Sequence, residues 1–105
     1  MTKIIVLLHL KSGKSAADYE RWARSTDLPT VRSLESVAAF SVFQTTGVLG
    51  SDARPPYDYI EVIDVADMDL FGKEVSTEAM GRVAAEFQDW ADPVFILTRD
   101  IEDAR

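Results

Sequence analysis

The sequence predicts an α+β domain built as a split βαβ unit, and three observations predict it. Apolar residues recur at period two, then at helical spacing, in the order strand, helix, strand, strand, helix, strand. Glycine, proline and capping residues punctuate those segments where each period changes. The composition, 47% hydrophobic and 28% charged over 105 residues, is that of one ordinary globular domain and excludes intrinsic disorder.

The elements follow in order. Lys3 to Leu10 is apolar without alternation, so it reads as a strand covered on both faces, ending at the polar turn Lys11–Lys14. From Ser15, a candidate N-cap, Ala16, Tyr19, Trp22 and Ala23 fall at helical spacing. Pro29 disfavours helical geometry at Leu28, so this helix is expected to stop or bend by Asp27–Leu28, with Thr30–Leu34 as a further helical turn. Ser36 to Thr46 is a second strand, with Val37, Ala39, Ser41 and Phe43 on one face and Ala38, Phe40, Val42 and Gln44 on the other. Gly47 to Pro56 is loop chemistry, long enough for a lid or a rim. Tyr57 to Val65 alternates cleanly as a third strand, with Tyr57, Tyr59, Glu61, Ile63 and Val65 on one side. Asp67 caps a short helix carrying Met68, Phe71 and Val75. Ser76 caps a longer one with Met80, Val83, Ala84, Phe87 and Trp90, which Pro93 ends. Val94 to Thr98 is the last strand, and Arg99 to Arg105 a charged tail that extends it or frays. This order is the ferredoxin-like βαββαβ fold across residues 1–105: an antiparallel four-stranded sheet with both helices on one face.

Charge and cysteine content bound the function. The 11 basic and 18 acidic residues give a net charge of −7, which argues against nucleic acid and anionic membrane as partners. Cysteine is absent, so disulfides, thiolate nucleophiles and thiolate metal sites are excluded together, and a cytoplasmic location is expected. Ile4–Leu8 is five apolar residues followed by a histidine. That is too short for a secretory core or a membrane span, so it reads as a buried strand.

Every predicted strand carries apolar residues on both faces: Ile4 and Ile5, Phe40 and Phe43, Ile60 and Ile63, Phe95 and Ile96. With helices on one face, the other would be an apolar patch unusual for a monomer. A homodimer through the sheet face covers it with one self-complementary interface.

The run Tyr19-Glu20-Arg21-Trp22, then Asp27-Leu28-Pro29-Thr30-Val31 and Ser36-Val37-Ala38-Ala39-Phe40, resembles the REDY-like (HapK-like) group of the dimeric α+β barrel superfamily. That group is associated with prodigiosin-type pigment gene clusters. The architectural likeness spans nearly the whole chain, the group's motif only Tyr19 to Phe40. The resemblance implies two subunits joining their sheets into a barrel, a small-molecule pocket and a role in secondary metabolism. It carries no catalytic motif across residue by residue.

The candidate catalytic residues are His9, Asp27 and Glu61. His9 is the only histidine, so imidazole acid–base chemistry must use it; otherwise it is a hydrogen-bonded histidine at the rim of the core. Asp27 either orients His9 or is a surface residue in a turn. Glu61 shares a face with tyrosines; facing a cavity, its pKa would rise and suit proton transfer, and facing a partner it would pair with a base such as Arg99. Tyr19, Trp22, Tyr59, Phe43 and Trp90 are the candidates for ligand contact, the alternative for each being plain core packing. One histidine and no cysteine make a metal site improbable, and no phosphate loop, dinucleotide fingerprint or nucleophile elbow is present, so no cofactor is expected.

The function these residues support is a cofactor-independent enzyme of cyclase, isomerase, hydrolase or monooxygenase type. It would act on a hydrophobic, aromatic secondary-metabolite intermediate between sheet and helices. The alternatives are a non-catalytic binder or chaperone of such an intermediate, and a structural dimer whose apolar positions are all core.

Overall fold

The computed structural model describes residues 1–102. Four strands, β1 (Thr2–Leu10), β2 (Val37–Gln44), β3 (Tyr59–Val65) and β4 (Ala91–Leu97), form one sheet in the order β2-β3-β1-β4, antiparallel throughout. The helices are α1 (Ala16–Trp22), α2 (Leu28–Arg32), α3 (Met68–Val75) and α4 (Glu78–Trp90). A shortest dimension of 18 Å leaves room for two layers only.

The pleat decides what is buried. Along β3, Tyr59, Glu61, Ile63 and Val65 are buried and the residues between them are half-buried. In β1 the buried set is Ile4, Val6 and Leu8, directly opposite Ile63, Glu61 and Tyr59. Phe40 of β2, opposite Ile63, completes the helix-covered face. The other face carries Ile5, Leu7, Ile60, Val62, Phe43, Val94 and Ile96, and no helix among the described residues lies over it. Phe43, Val94 and Ile96 are 52%, 48% and 40% exposed there. The two-sided apolar pattern of the strands is therefore real, and one side of it is bare.

Several local expectations are corrected. Of the two outcomes expected at Asp27–Leu28, the helix does not stop but changes pitch before Pro29. A π-helical turn, Ala23–Asp27, joins α1 to α2, and the Leu28 N–H donates to the Ala23 carbonyl, five residues back. The wider turn loosens the ladder where proline lacks an N–H, so the chain stays helical. The cap of α4 is Thr77, whose hydroxyl accepts from the Met80 N–H at 3.3 Å, and not Ser76. Asp67 and Ser15 do cap α3 and α1. Helix α4 ends at Trp90 and passes straight into β4, so Pro93 lies inside a strand. It is tolerated because β4 is an edge. A bulge between Val37 and Ala39 returns Val37 to the helix-covered side, opposite Val65, away from Ser41 and Phe43. Pairing of β3 begins at Tyr59, and Tyr57 leaves the register to stack on His9 with ring centroids 4.8 Å apart. Thr98 still bonds to the Lys3 carbonyl, through its N–H at 3.1 Å and its hydroxyl at 2.6 Å. Asp100 to Glu102 has no regular structure, and the rest of the expected tail lies outside the described residues.

Candidate functional site

Glu61 and Asp27 are brought together by two different periodicities. The pleat of β3 turns Glu61 to the helix side, opposite Val6 on one neighbour strand and Val42 on the other. Tyr19, Ala23, Asp27 and Val31 are all buried, spaced four apart. In a regular α-helix that spacing drifts by about 40° per step, because four residues exceed one turn of 3.6. The π-helical turn takes the drift back, so the four side chains stay on one line against the sheet.

The result is a carboxyl pair out of water. Asp27 is 5% exposed, Glu61 2% and Tyr19 fully buried. The Tyr19 hydroxyl donates to Glu61 Oε2 at 3.1 Å. Asp27 and Glu61 perturb one another, and two adjacent buried carboxyls resist ionising together. Burial pushes both above the ordinary carboxylate range. Glu61 rises further because the Asp27 charge adds to the burial, so of the two it keeps a proton the more readily. Burial and the neighbouring Glu61 likewise push the Tyr19 hydroxyl up, so it remains a donor. None of the described residues donates a hydrogen bond to Asp27 Oδ2.

Both carboxyls line a cavity of about 490 Å3 between the sheet and α2, α3 and α4. Every other lining side chain is apolar, Val31, Met68, Phe71, Met80, Phe87 and Phe95 among them. The volume lies within the range of small-molecule sites. Phe95 and Leu97 of edge strand β4, 54% and 67% exposed, form part of its border. A carboxylic acid beside a carboxylate in such surroundings can take a proton from a bound molecule and return one. A second hollow of about 480 Å3 lies at the end of the sheet, lined by the Lys11–Lys14 turn, Thr45, Arg54, Tyr57 and Asp58. It is polar and lacks such a carboxyl pair, so the chemistry favours the apolar cavity.

The other expected residues are scattered. His9 is exposed on the bare sheet face, so Asp27 does not orient it and Tyr19 and Trp22 do not adjoin it. The reason is parity. His9 is one residue from Leu8, and neighbours in a strand point to opposite faces. Phe43 is on that bare face as well. Tyr59 is buried, but its hydroxyl donates to Glu20 Oε2 at 2.6 Å, away from the carboxyl pair. Trp22 and Trp90 cluster with Tyr19, and Trp22 stacks on Phe87 at 6.0 Å with an 8° interplanar angle. These tryptophans stand behind the cavity wall, with Phe87 in front. The Gly47–Pro56 loop contributes Arg54 and Pro55 to the polar hollow and nothing to the apolar one. Glu61 pairs with Asp27 and Tyr19 and not with Arg99. Among the described residues no group of three His, Asp or Glu side chains is placed to hold a metal ion. The sequence reading missed the α3 and α4 wall, because Met68 and Met80 look like core filler. The available signal was two flexible, methionine-bearing stripes facing a strand that carries a carboxylate.

The family model for the REDY-like protein HapK matches residues 2–101. Among solved structures, HapK from Hahella chejuensis is 25% identical with a TM-score of 0.79, the alignment covering 100% of this chain and 97% of that one. SnoaB from Streptomyces nogalater, a cofactor-independent oxygenase, is 10% identical with a TM-score of 0.75 over 98% and 95% of the two chains. A dimeric ferredoxin-like protein of unknown function from Thermobifida fusca is 16% identical with a TM-score of 0.69 over 92% and 88%. No curated protein matches the sequence significantly.

Proposed function

The chain belongs to the REDY-like HapK family, and from that premise we propose that it is a cofactor-independent enzyme. Its reaction moves a proton on a hydrophobic, aromatic intermediate of secondary metabolism. The observation that carries this reading is the buried Asp27–Glu61 pair, the only polar side chains lining an otherwise apolar cavity among the described residues. SnoaB, described as a cofactor-independent oxygenase, lends a precedent for catalysis without a cofactor on this fold.

The roles follow from which of the two carboxyls keeps its proton the more readily. Asp27 is the base. Glu61 keeps its proton beside that carboxylate, while the Tyr19 hydroxyl holds Glu61 through Oε2. When Asp27 takes a proton from one atom of the ligand, both carboxyls are neutral. Returning a proton to another atom restores the starting state, so an isomerisation or cyclisation closes without a co-reactant. The apolar walls exclude water from the pair and strengthen its effect on the bound molecule. The bare sheet face is covered by a second copy of the chain in a homodimer, as the description of the Thermobifida fusca protein as dimeric supports.

Nitrobenzisoxazole tests the reading. It is a neutral aromatic whose N–O bond breaks when a base removes the adjacent C–H proton, giving a coloured cyanophenolate. The wild-type protein is expected to open it faster than free carboxylate does, with the rate rising through the weakly acidic range as the raised Asp27 carboxyl ionises. Asp27→Asn is expected to lower the rate at least tenfold, and His9→Ala to leave it unchanged because His9 lies across the sheet. Binding of the compound with equal rates in wild type and Asp27→Asn would leave a protein that holds its ligand without transforming it. Loss of turnover in His9→Ala alone would move the chemistry to the other face.

A further inference from the structure

We propose that the natural ligand of the cavity is an uncharged molecule carrying an O–H or N–H group, which it donates to the Asp27 carboxylate. The inference rests on the reading of this cavity as the ligand site and goes on to name the ligand's class.

A carboxylate offers about four lone-pair positions. Asp27 is buried, it lines the cavity, and its Oδ2 finds no donor among the described residues. A buried acceptor left unsatisfied is costly, and in native proteins such an atom calls for a partner. The cavity walls cannot supply one, since apart from Glu61 they are apolar. Glu61, whose Oε2 accepts from Tyr19, can offer at most one proton, fewer than the lone pairs Asp27 presents. The missing donor must arrive with the ligand.

Charge narrows the class. Among the described residues no lysine, arginine or histidine lines the cavity, so an anionic ligand would meet only a carboxylate and greasy walls. A cationic ligand would have to shed its hydration against one negative charge, a larger penalty than a neutral donor incurs. The remaining class is a phenol, enol, amide or nitrogen heterocycle on an apolar frame.

Calorimetric titration at neutral pH with four two-ring probes of similar shape tests this: β-naphthol, its methyl ether, β-naphthoate and β-naphthylmethylamine. β-Naphthol is expected to bind about tenfold or more tighter than its methyl ether, the effect of one hydrogen bond to a charged acceptor. It is also expected to outbind both ions. Asp27→Leu, with folding checked by circular dichroism, should bring naphthol down to the level of the ether. Asp27→Asn, which keeps a neutral acceptor and the side-chain shape, should retain part of the preference and serves if the leucine variant does not fold. Equal binding of naphthol and its ether by the wild type would overturn the donor while leaving the cavity as the ligand site. Tightest binding by either ion would overturn the neutral class. Failure of all the probes to bind would bring down the reading of the cavity itself, and this inference with it.

Discussion

At the scale of single residues, Glu61 decides how stability responds to pH. Its folded-state pKa is raised by burial and by the adjacent Asp27 charge. The folded protein therefore keeps a proton that the unfolded chain releases near the ordinary glutamate value of 4.5. The stabilisation is fully present below that value and is lost as pH rises towards the raised folded value, with a slope of at most about 1.4 kcal/mol per pH unit for one proton. Thermal unfolding is expected to show a melting temperature that falls from mildly acidic towards alkaline pH. Glu61→Gln should flatten that fall, because the amide accepts from Tyr19 without titrating. A wild-type melting temperature that climbs over the same range would contradict the proton kept on Glu61.

At the scale of elements, the cavity exists because two short helices hold its far wall. Helix α3 is tied at both ends. Its N-cap Asp67 accepts from the Leu70 N–H at 3.1 Å. Near its C-terminus the Glu74 carboxylate accepts from the N–H groups of Glu35 and Ser36, at 2.9 and 3.0 Å. The adjacent Ser36 side chain, the largest cause, and those backbone bonds hold Glu74 below the usual carboxylate range. Loss of the cap in Asp67→Ala is expected to cost about 1 kcal/mol, read as a lower midpoint in chemical denaturation with an unchanged slope. Met68 and Phe71, one and four residues beyond that cap, line the cavity, so the same variant should also weaken probe binding. An unaltered midpoint would show that the Asp67 cap does not limit stability.

At the scale of the whole molecule, a slab 18 Å thick with one bare apolar face is not a self-sufficient shape. Isologous pairing through β1, β2, β3 and β4 would give each subunit the missing layer. Sedimentation at micromolar concentration is expected to report twice the chain mass of 11.7 kDa. Ile96→Asp, which places a charge on the bare face opposite Ile5, should shift the protein to single subunits. A monomeric wild type would leave the bare face to another kind of partner. Among the described residues no helix is long and apolar enough to cross a membrane.

The sequence by itself determined the order of the elements, the antiparallel sheet and the presence of apolar residues on both its faces. Those properties are written in local periodicity, and period two and period three to four survive in any reading of the chain. It also put forward Glu61, for sharing a strand face with tyrosines, and Asp27, as a partner for His9 or a surface residue in a turn. It could not decide that they meet, nor that His9 is kept from them. Only the tertiary structure settles this, since a strand's parity chooses one face of the sheet for Glu61 and the other for His9. The π-helical turn that keeps Asp27 in line with Tyr19 depends on how the helix lies against the sheet, which no local pattern records. A cavity, likewise, is a volume that surrounding elements leave unfilled, and it belongs to their packing and not to any one of their sequences.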